Sequence, residues 1–241
     1  MRILSFDTSS RSGGIALIED GRLTAECVVA DVGAPSAWLL NGVDGFLKGL
    51  GRTLEEIDAL AVGVGPGSFT GLRIGVSAAK GLGWALEKPV IGVSTLEALA
   101  MNAPYGNLRV CPVLDARKKE VYAAVFTSSG RGVERIAGDC VVSLQGLFEL
   151  IDKTGSGPVV FLGNALGVYA ELIEKNVNPA IIASEPLWHP RASNIGVIAF
   201  RDRGAAARPE DITPVYLRKS EAELKIQEGG RKAALLTLFK P

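Results

Sequence analysis

The residues of this chain that could do chemistry are densest between Gly65 and Gly75, GPGSFTGLRIG, where four of eleven residues are Gly and one is Pro. An apolar run, Leu60 to Val64, precedes it and reads as a buried strand, so the stretch is a turn from strand into helix. Gly65 and Gly67 allow φ > 0 and close approach, Pro66 fixes one φ, and Ser68 or Thr70 can cap the first helical amides. Amides at a helix start attract phosphate. A tight turn explains the same residues, and the spacing does not choose between the two. No Lys-Ser or Lys-Thr pair follows the glycines, so this is not a Walker A loop, and Gly-x-Gly alone is weak support for a dinucleotide site.

Other candidate groups are scattered. Asp7 and Asp115 each close an apolar run, Ile3 to Phe6 and Val110 to Leu114, and each is followed by a polar loop. In the second loop Arg117, Lys118 and Lys119 can reach an anion, and they read equally as an exposed hairpin. His189, the only histidine, lies between Pro186 and Pro190. Cys27, Cys111 and Cys140 are far apart with no CxxC spacing, the pattern of free thiols in a reducing compartment.

The elements that position these groups follow from pattern. The 241 residues suffice for one large domain or two small ones with a sizeable core. Lys plus Arg and Asp plus Glu each number 26, so no general electrostatic pull toward nucleic acid or membrane is expected. The opening does not read as a signal peptide and no apolar run is long enough for a membrane span, so a cytoplasmic protein without membrane contact is expected. Strands are predicted at 3–6, 14–18 and 24–29, with Asp20-Gly21 as a hairpin turn. A helix over 36–50, the strand ending at Val64, a helix over 70–86 and a strand over 89–93 follow. Ser94 to Glu97 reads as a capping box opening a helix that ends near Pro104.

The plan then restarts. Strands over 110–114 and 120–127, a helix over 144–152, a strand over 159–162, a helix over 165–174, a strand over 180–183 and a helix over 194–203 complete it. An Asp at the end of each first strand and a meander followed by alternating helices and strands predict a duplicated α/β unit with mixed sheets. The division is placed within 102–107, giving an N-terminal unit over 1–103 and a C-terminal unit over 104–241, whose last helix is free to pack back on the first unit. The charged stretch after Leu217, with Arg218, Lys219, Glu221, Glu223, Lys225 and Glu228, reads as a solvated helix or frayed tail.

Both early helices carry stripes without bulk. Gly71, Gly75, Ala79 and Gly83 recur at i, i+4 spacing, and Gly42, Gly45 and Gly49 stand with Trp38 opposite the apolar face of the preceding helix. An interior Gly costs a helix roughly 1 kcal/mol relative to Ala, so another backbone is expected close by. It belongs either to this chain's own sheet or to a second molecule.

Four segments carry a resemblance: GPGSFTGLRIG, the opening Ile3 to Ser9, Asp115-Ala116-Arg117 with Glu120-Val121-Tyr122, and Pro214 to Arg218. Over nearly its whole length the chain resembles the TsaB (YeaZ) family of the actin-like ATPase superfamily, which also holds acetate kinase, sugar kinases and Hsp70. The fold implied is a duplicated actin-like, ribonuclease H-like fold. The role implied lies in making threonylcarbamoyladenosine (t6A) beside the anticodon of tRNAs that read codons beginning with A. The resemblance makes this chain the non-catalytic partner of TsaD, with TsaE, a small ATPase, joining the pair. A homodimer is implied when TsaD is absent, and tRNA is met only through the complex. Where TsaB-like chains often carry His-Ser-Glu at the start of the first helix, this one has Pro35-Ser36-Ala37.

The resemblance implies that the two early helices form the TsaD surface. Trp38, Gly42, Gly45, Phe69, Gly71, Arg73, Gly75 and Ala79 are the candidate contacts, with Gly75→Leu and Gly42→Leu expected to abolish binding while sparing the fold. No catalytic, cofactor or metal residue is assigned to this chain, and ATP and a metal ion are expected on the partner subunits. ATP-using members place Gly-rich loops after both strand-ending aspartates, whereas Asp115 is followed by Ala-Arg-Lys-Lys. One imidazole cannot supply the two-His metal site that TsaD resembles. Two enzyme readings stand against this: an ATP-dependent small-molecule kinase of the same superfamily, and a glycoprotease-like peptidase, for which Ser68 has neither a nearby base in sequence nor a Gly-x-Ser-x-Gly frame.

Overall fold

The computed structural model describes residues 1–30, 35–103, 106–130 and 132–218, with side chains from 38 onward in the first helix. The side chains of residues 35–37, at the opening of that helix, and the charged tail from Lys219 therefore lie outside what is described.

In chain order the first lobe contains β1 (Arg2–Asp7), β2 (Gly13–Glu19), β3 (Arg22–Val29), α1 (Pro35–Gly49), β4 (Ala59–Gly65), α2 (Phe69–Leu86), β5 (Val90–Ser94) and α3 (Thr95–Ala100). The second contains β6 (Arg109–Arg117), β7 (Glu120–Ser129), β8 (Gly132–Ser143), α4 (Leu144–Lys153), β9 (Val159–Leu162), α5 (Leu166–Asn176) and β10 (Ala180–Ile182). A further helix, α6 (Ala192–Arg201), follows.

The two sheets have one topology. The first runs β3-β2-β1-β4-β5 and the second, from its other edge, β8-β7-β6-β9-β10. In each, an antiparallel meander is extended by two parallel strands. This is the duplicated, mixed-sheet α/β architecture that the strand-loop-strand repetition predicts. The hairpin after β2 turns at Asp20 and Gly21, both with positive φ, as the Asp-Gly pair requires. β8 is a strand that the sequence pattern does not delimit. It runs from Gly132 to Ser143, and its exposed and buried residues do not alternate cleanly enough to give the period of two.

Alternation along β1 sorts its side chains onto two faces. Leu4 and Phe6 meet Leu39, Val43 and Leu47 of α1 and Val76 and Ala79 of α2. Ile3 faces the opposite way, toward Ile195, Ile198 and Ala199 of α6. α6 is pinned there by Ser5 Oγ, which donates to the Ala192 carbonyl at 2.7 Å, and by Glu26 of β3, which accepts from the Ser193 amide at 3.0 Å and from Arg191. α3 lies between the sheets, with Ala98 in the core shared with α6 and Leu96 and Leu99 in the core of the second sheet. α4 and α5 cover that sheet's other face through Leu147, Ile151 and Ile173. No helix among the described residues is long and apolar enough to cross a membrane.

After α6 the chain returns along α2 as a strap over 208–217. Lys80 Nζ donates to the carbonyls of Glu210 and Ile212 at 3.0 and 3.1 Å, Trp84 Nε1 donates to Glu210 at 3.2 Å, and the Val215 amide donates to the Val64 carbonyl at 2.7 Å.

Candidate functional site

α2 begins where the sequence places it. Ser68 is its N-cap, its hydroxyl accepting the Gly71 amide at 3.3 Å. The helix is amphipathic in an unusual sense, because its glycine row is the buried one. Thr8 Oγ1 donates to the Gly71 carbonyl at 2.7 Å, and a Cβ on Gly71 would overlap the Thr8 carbonyl oxygen. A Cβ on Gly75 would stand 2.5 Å from Thr8 Oγ1 and 3.3 Å from Val62, and one on Gly83 would meet Pro209 and Val90. Ala79 is fully buried.

This corrects the expectation for Gly71, Gly75 and Ala79. They lack bulk because the β1–β2 loop and β4 of the same chain lie against them, so they present nothing to a second molecule. Gly42 is half-buried, its missing Cβ facing Ile15 at 3.0 Å and the Trp38 indole, and Trp38 packs on the lobe's own core. The Gly42 row therefore also leans inward at its first member. Gly45 and Gly49 are exposed, with open space where a Cβ would be.

A different face of the helix pair is left open. Between α1 and α2 runs an apolar groove of about 530 Å³, lined by Leu39 and Leu40 on one side and by Ile74, Ala78 and Leu82 on the other. Leu40 is 52% exposed, and Gly81 on the groove wall has open space around it. Arg73 lines the groove's end. Phe69 stacks on Tyr216 of the strap with ring centroids 4.1 Å apart and planes parallel, and Arg73 lies 5.0 Å above Phe69 while donating to the Tyr216 hydroxyl at 3.0 Å. Of the eight sequence candidates, Gly45 and Arg73 are exposed, and Trp38, Gly42 and Phe69 are half-buried with partners inside the chain. Sequence reasoning missed Leu40, Ile74, Ala78, Gly81 and Leu82. Their signal was a second small and apolar row on α2, offset by three residues from the glycines.

The second site is a cleft of about 690 Å³ between the lobes, bordered by Ser9 to Arg11, Gly67 to Thr70, Asp115, Arg117, Asn164 and Arg218. Asp7 lies behind it, fully buried, with Ser9 giving both its amide and its hydroxyl to Oδ2 at 3.2 and 3.0 Å. Its other oxygen has no partner among the described residues, and neither has Thr95 Oγ1. Burial pushes the Asp7 carboxyl up to about 7, against the hydrogen bonds from Ser9, which pull it down. On the opposite lobe Asp115 Oδ1 accepts the Arg117 amide at 2.8 Å, and Asn164 Oδ1 accepts the Asp115 amide at 2.9 Å. Each aspartate thus holds the amide two residues on; Asp7 ends β1 as the sequence predicts, whereas β6 runs on past Asp115 to Arg117. Gly163 lies against the Val113 backbone, which a Cβ would overlap. Asn102 donates to the His189 carbonyl at 2.7 Å.

Comparison with known proteins converges on one group. The family model described as TsaD, tRNA N6-adenosine threonylcarbamoyltransferase, matches residues 35–226. A relative from Bacillus subtilis, named tRNA threonylcarbamoyladenosine biosynthesis protein TsaB, is 32% identical over 93% of this chain and 97% of its own length. The protein of the same name from Haemophilus influenzae is 37% identical over 90% of this chain and 94% of its own. Among solved structures, YeaZ from Pseudomonas aeruginosa superposes with a TM-score of 0.75 at 28% identity, covering 90% of this chain and 99% of that one.

Proposed function

The chain belongs to the TsaB family of tRNA threonylcarbamoyladenosine biosynthesis proteins, within the reach of the TsaD family model, and from that premise we propose that it is a non-catalytic scaffold for threonylcarbamoyl transfer. It binds a TsaD-type transferase through the α1–α2 groove and holds it active. TsaE joins the pair, and the chain works in the cytoplasm on tRNA only as part of that assembly.

The observation that carries this reading is the exposed apolar groove with open glycines beside it, between two helices that lie within the stretch matched by the TsaD family model. A partner of the same fold offers an equivalent helix pair. Two such pairs can pack as a four-helix contact about a pseudo-twofold axis. Leu40 and Leu82 supply apolar area, while Gly45 and Gly81 let a facing backbone come close. The same face accounts for self-association when the partner is absent.

That catalysis belongs to the partner is supported by the loops behind the cleft. The amides that would cradle a nucleotide's phosphates in a fold of this type are given to Asp7 and Asp115, so a nucleotide would have to displace the chain's own carboxylates. ATP and any metal ion are accordingly assigned to the partner subunits. The test is a reconstituted modification assay with each subunit omitted in turn. Threonylcarbamoyladenosine is expected only when this chain and the transferase are both present. Transfer by this chain alone, or undiminished transfer without it, overturns the scaffold reading.

A further inference from the structure

We propose that the mouth of the interlobe cleft docks the phosphate backbone of RNA, with Arg11 on one lip and Arg117, Lys118 and Lys119 on the other. The inference rests on the reading above, in which tRNA is the substrate of the assembly, and it places a tRNA contact on this subunit.

Charge is the first argument. Across the rest of the surface arginines are largely neutralised. Arg2 and Arg52 pair with Glu19, Arg135 with Asp139, Arg191 with Glu26 and Arg201 with Asp202. Exposed cations without an ion pair among the described residues, such as Arg22, Lys153 and Lys175, stand singly elsewhere. At the cleft they gather: Arg11 and Arg117 line it, and Lys118 and Lys119 continue the hairpin from Arg117. Arg11, Lys118 and Lys119 are exposed, and no ion pair or hydrogen bond engages their side chains among the described residues. The Arg117 side chain is 85% exposed and approaches Asp115 at 3.5 Å. Among the described residues Asp115 is the only carboxylate on the cleft wall. Arg218 there is answered by Glu120 at 3.7 Å, so the cations left over are Arg11 and those of the hairpin from Arg117 to Lys119. In a chain of zero net charge this is a local positive rim.

Backbone direction is the second. The first two amides of α2, those of Phe69 and Thr70, have no acceptor among the described residues, and both residues border the cleft. An eighteen-residue helix adds its positive end to the arginines there. The hairpin opposite is built for its side chains at the expense of its backbone. Arg117, Lys118 and Lys119 have φ of 64, 53 and 65°, three consecutive left-handed residues with a Cβ. A hairpin turn of this kind is ordinarily filled by Asn-Gly or Asp-Gly. Here the tip carries three cations instead.

The arrangement suits a polyanion better than a mononucleotide. Its cations are exposed and divided between two lips, as repeated phosphates along a strand require. The amides of Ser9 and Arg117, which would grip a nucleotide's phosphates at close range, are bound to Asp7 and Asp115.

Labelled tRNA titrated into the chain, alone and in complex with its TsaD-type partner, tests this at salt concentrations between roughly 50 and 200 mM. Lys118→Ala combined with Lys119→Ala is expected to weaken binding about tenfold at the low-salt end and to reduce the slope of log affinity against log salt by roughly one per lysine. Co-elution with the partner should be unchanged. An unaltered slope overturns the proposal, and so does displacement of tRNA by micromolar ATP, which would make the cleft a nucleotide site. Should the wild-type chain fail to co-elute with the partner, the scaffold reading falls, while the titration of the chain alone still decides the RNA contact.

Discussion

Asp7 is the residue where the chain's electrostatics and its fold are most at odds. Its carboxyl is buried among β1, β4 and α3, with no cation against it among the described residues, one oxygen bound by Ser9 and the other unpartnered. Gly63 is glycine because Asp7 Oδ1 lies 2.5 Å from where its Cβ would stand. With a folded value near 7 against an unfolded value of 3.8, the native state holds the proton more tightly. The associated stability is present in full below the unfolded value and is lost as pH rises through the folded one. The gap between the two values corresponds to roughly 4 kcal/mol. Asp7→Asn keeps an acceptor for Ser9 and replaces the unpartnered oxygen with a neutral amide. The variant should therefore gain stability over wild type, by an amount that grows between pH 4 and pH 8 in urea midpoints. A difference independent of pH would contradict a carboxylate forced to ionise in place. The sequence marks Asp7 as the end of a strand, and that reading is correct as far as it goes. It carries no trace of the burial, because the groups that surround Asp7 come from Gly63, Thr95 and Ile195, distant in the chain.

Among the elements, α2 shows what periodicity can and cannot decide. Its length, cap and row of small residues are all legible, since Ser68 and the i, i+4 glycines stand in plain order. Which neighbour the row faces is a tertiary fact. An i, i+4 row of missing side chains signals a close backbone equally well when that backbone is the Thr8 loop or another protein, and the Thr8 loop occupies it. The expectation for Gly75→Leu reverses accordingly. Gly71→Ala should cost about 3 kcal/mol or more in chemical denaturation, because the Thr8 backbone must move. Gly45→Ala, in open space, should leave stability unchanged or slightly raised through helix propensity. Equal effects of the two substitutions would mean that the α2 glycines are not packed against the β1–β2 loop. The open groove was harder to read, because Ile74, Ala78 and Leu82 look like core residues in sequence. Only the position of the strap beyond them shows that nothing of the described chain covers that face.

For the molecule as a whole, the duplication was legible from the two aspartates that close apolar runs and the repeated order of elements. The shared five-strand topology bears it out down to the parallel extensions. What composition could not show is where a neutral chain concentrates its contacts. The structure separates an apolar groove on the first lobe from a positive rim between the lobes, two surfaces suited to two kinds of partner. The central claim is that the groove, and not the glycine row, receives the transferase. Size-exclusion chromatography of this chain with its TsaD-type partner tests it directly, with Ala78→Arg placing a charged side chain in the groove wall and denaturation verifying the fold. Loss of co-elution with an unchanged unfolding midpoint is the predicted result. Co-elution as complete as wild type would contradict the account and move the interface to another face.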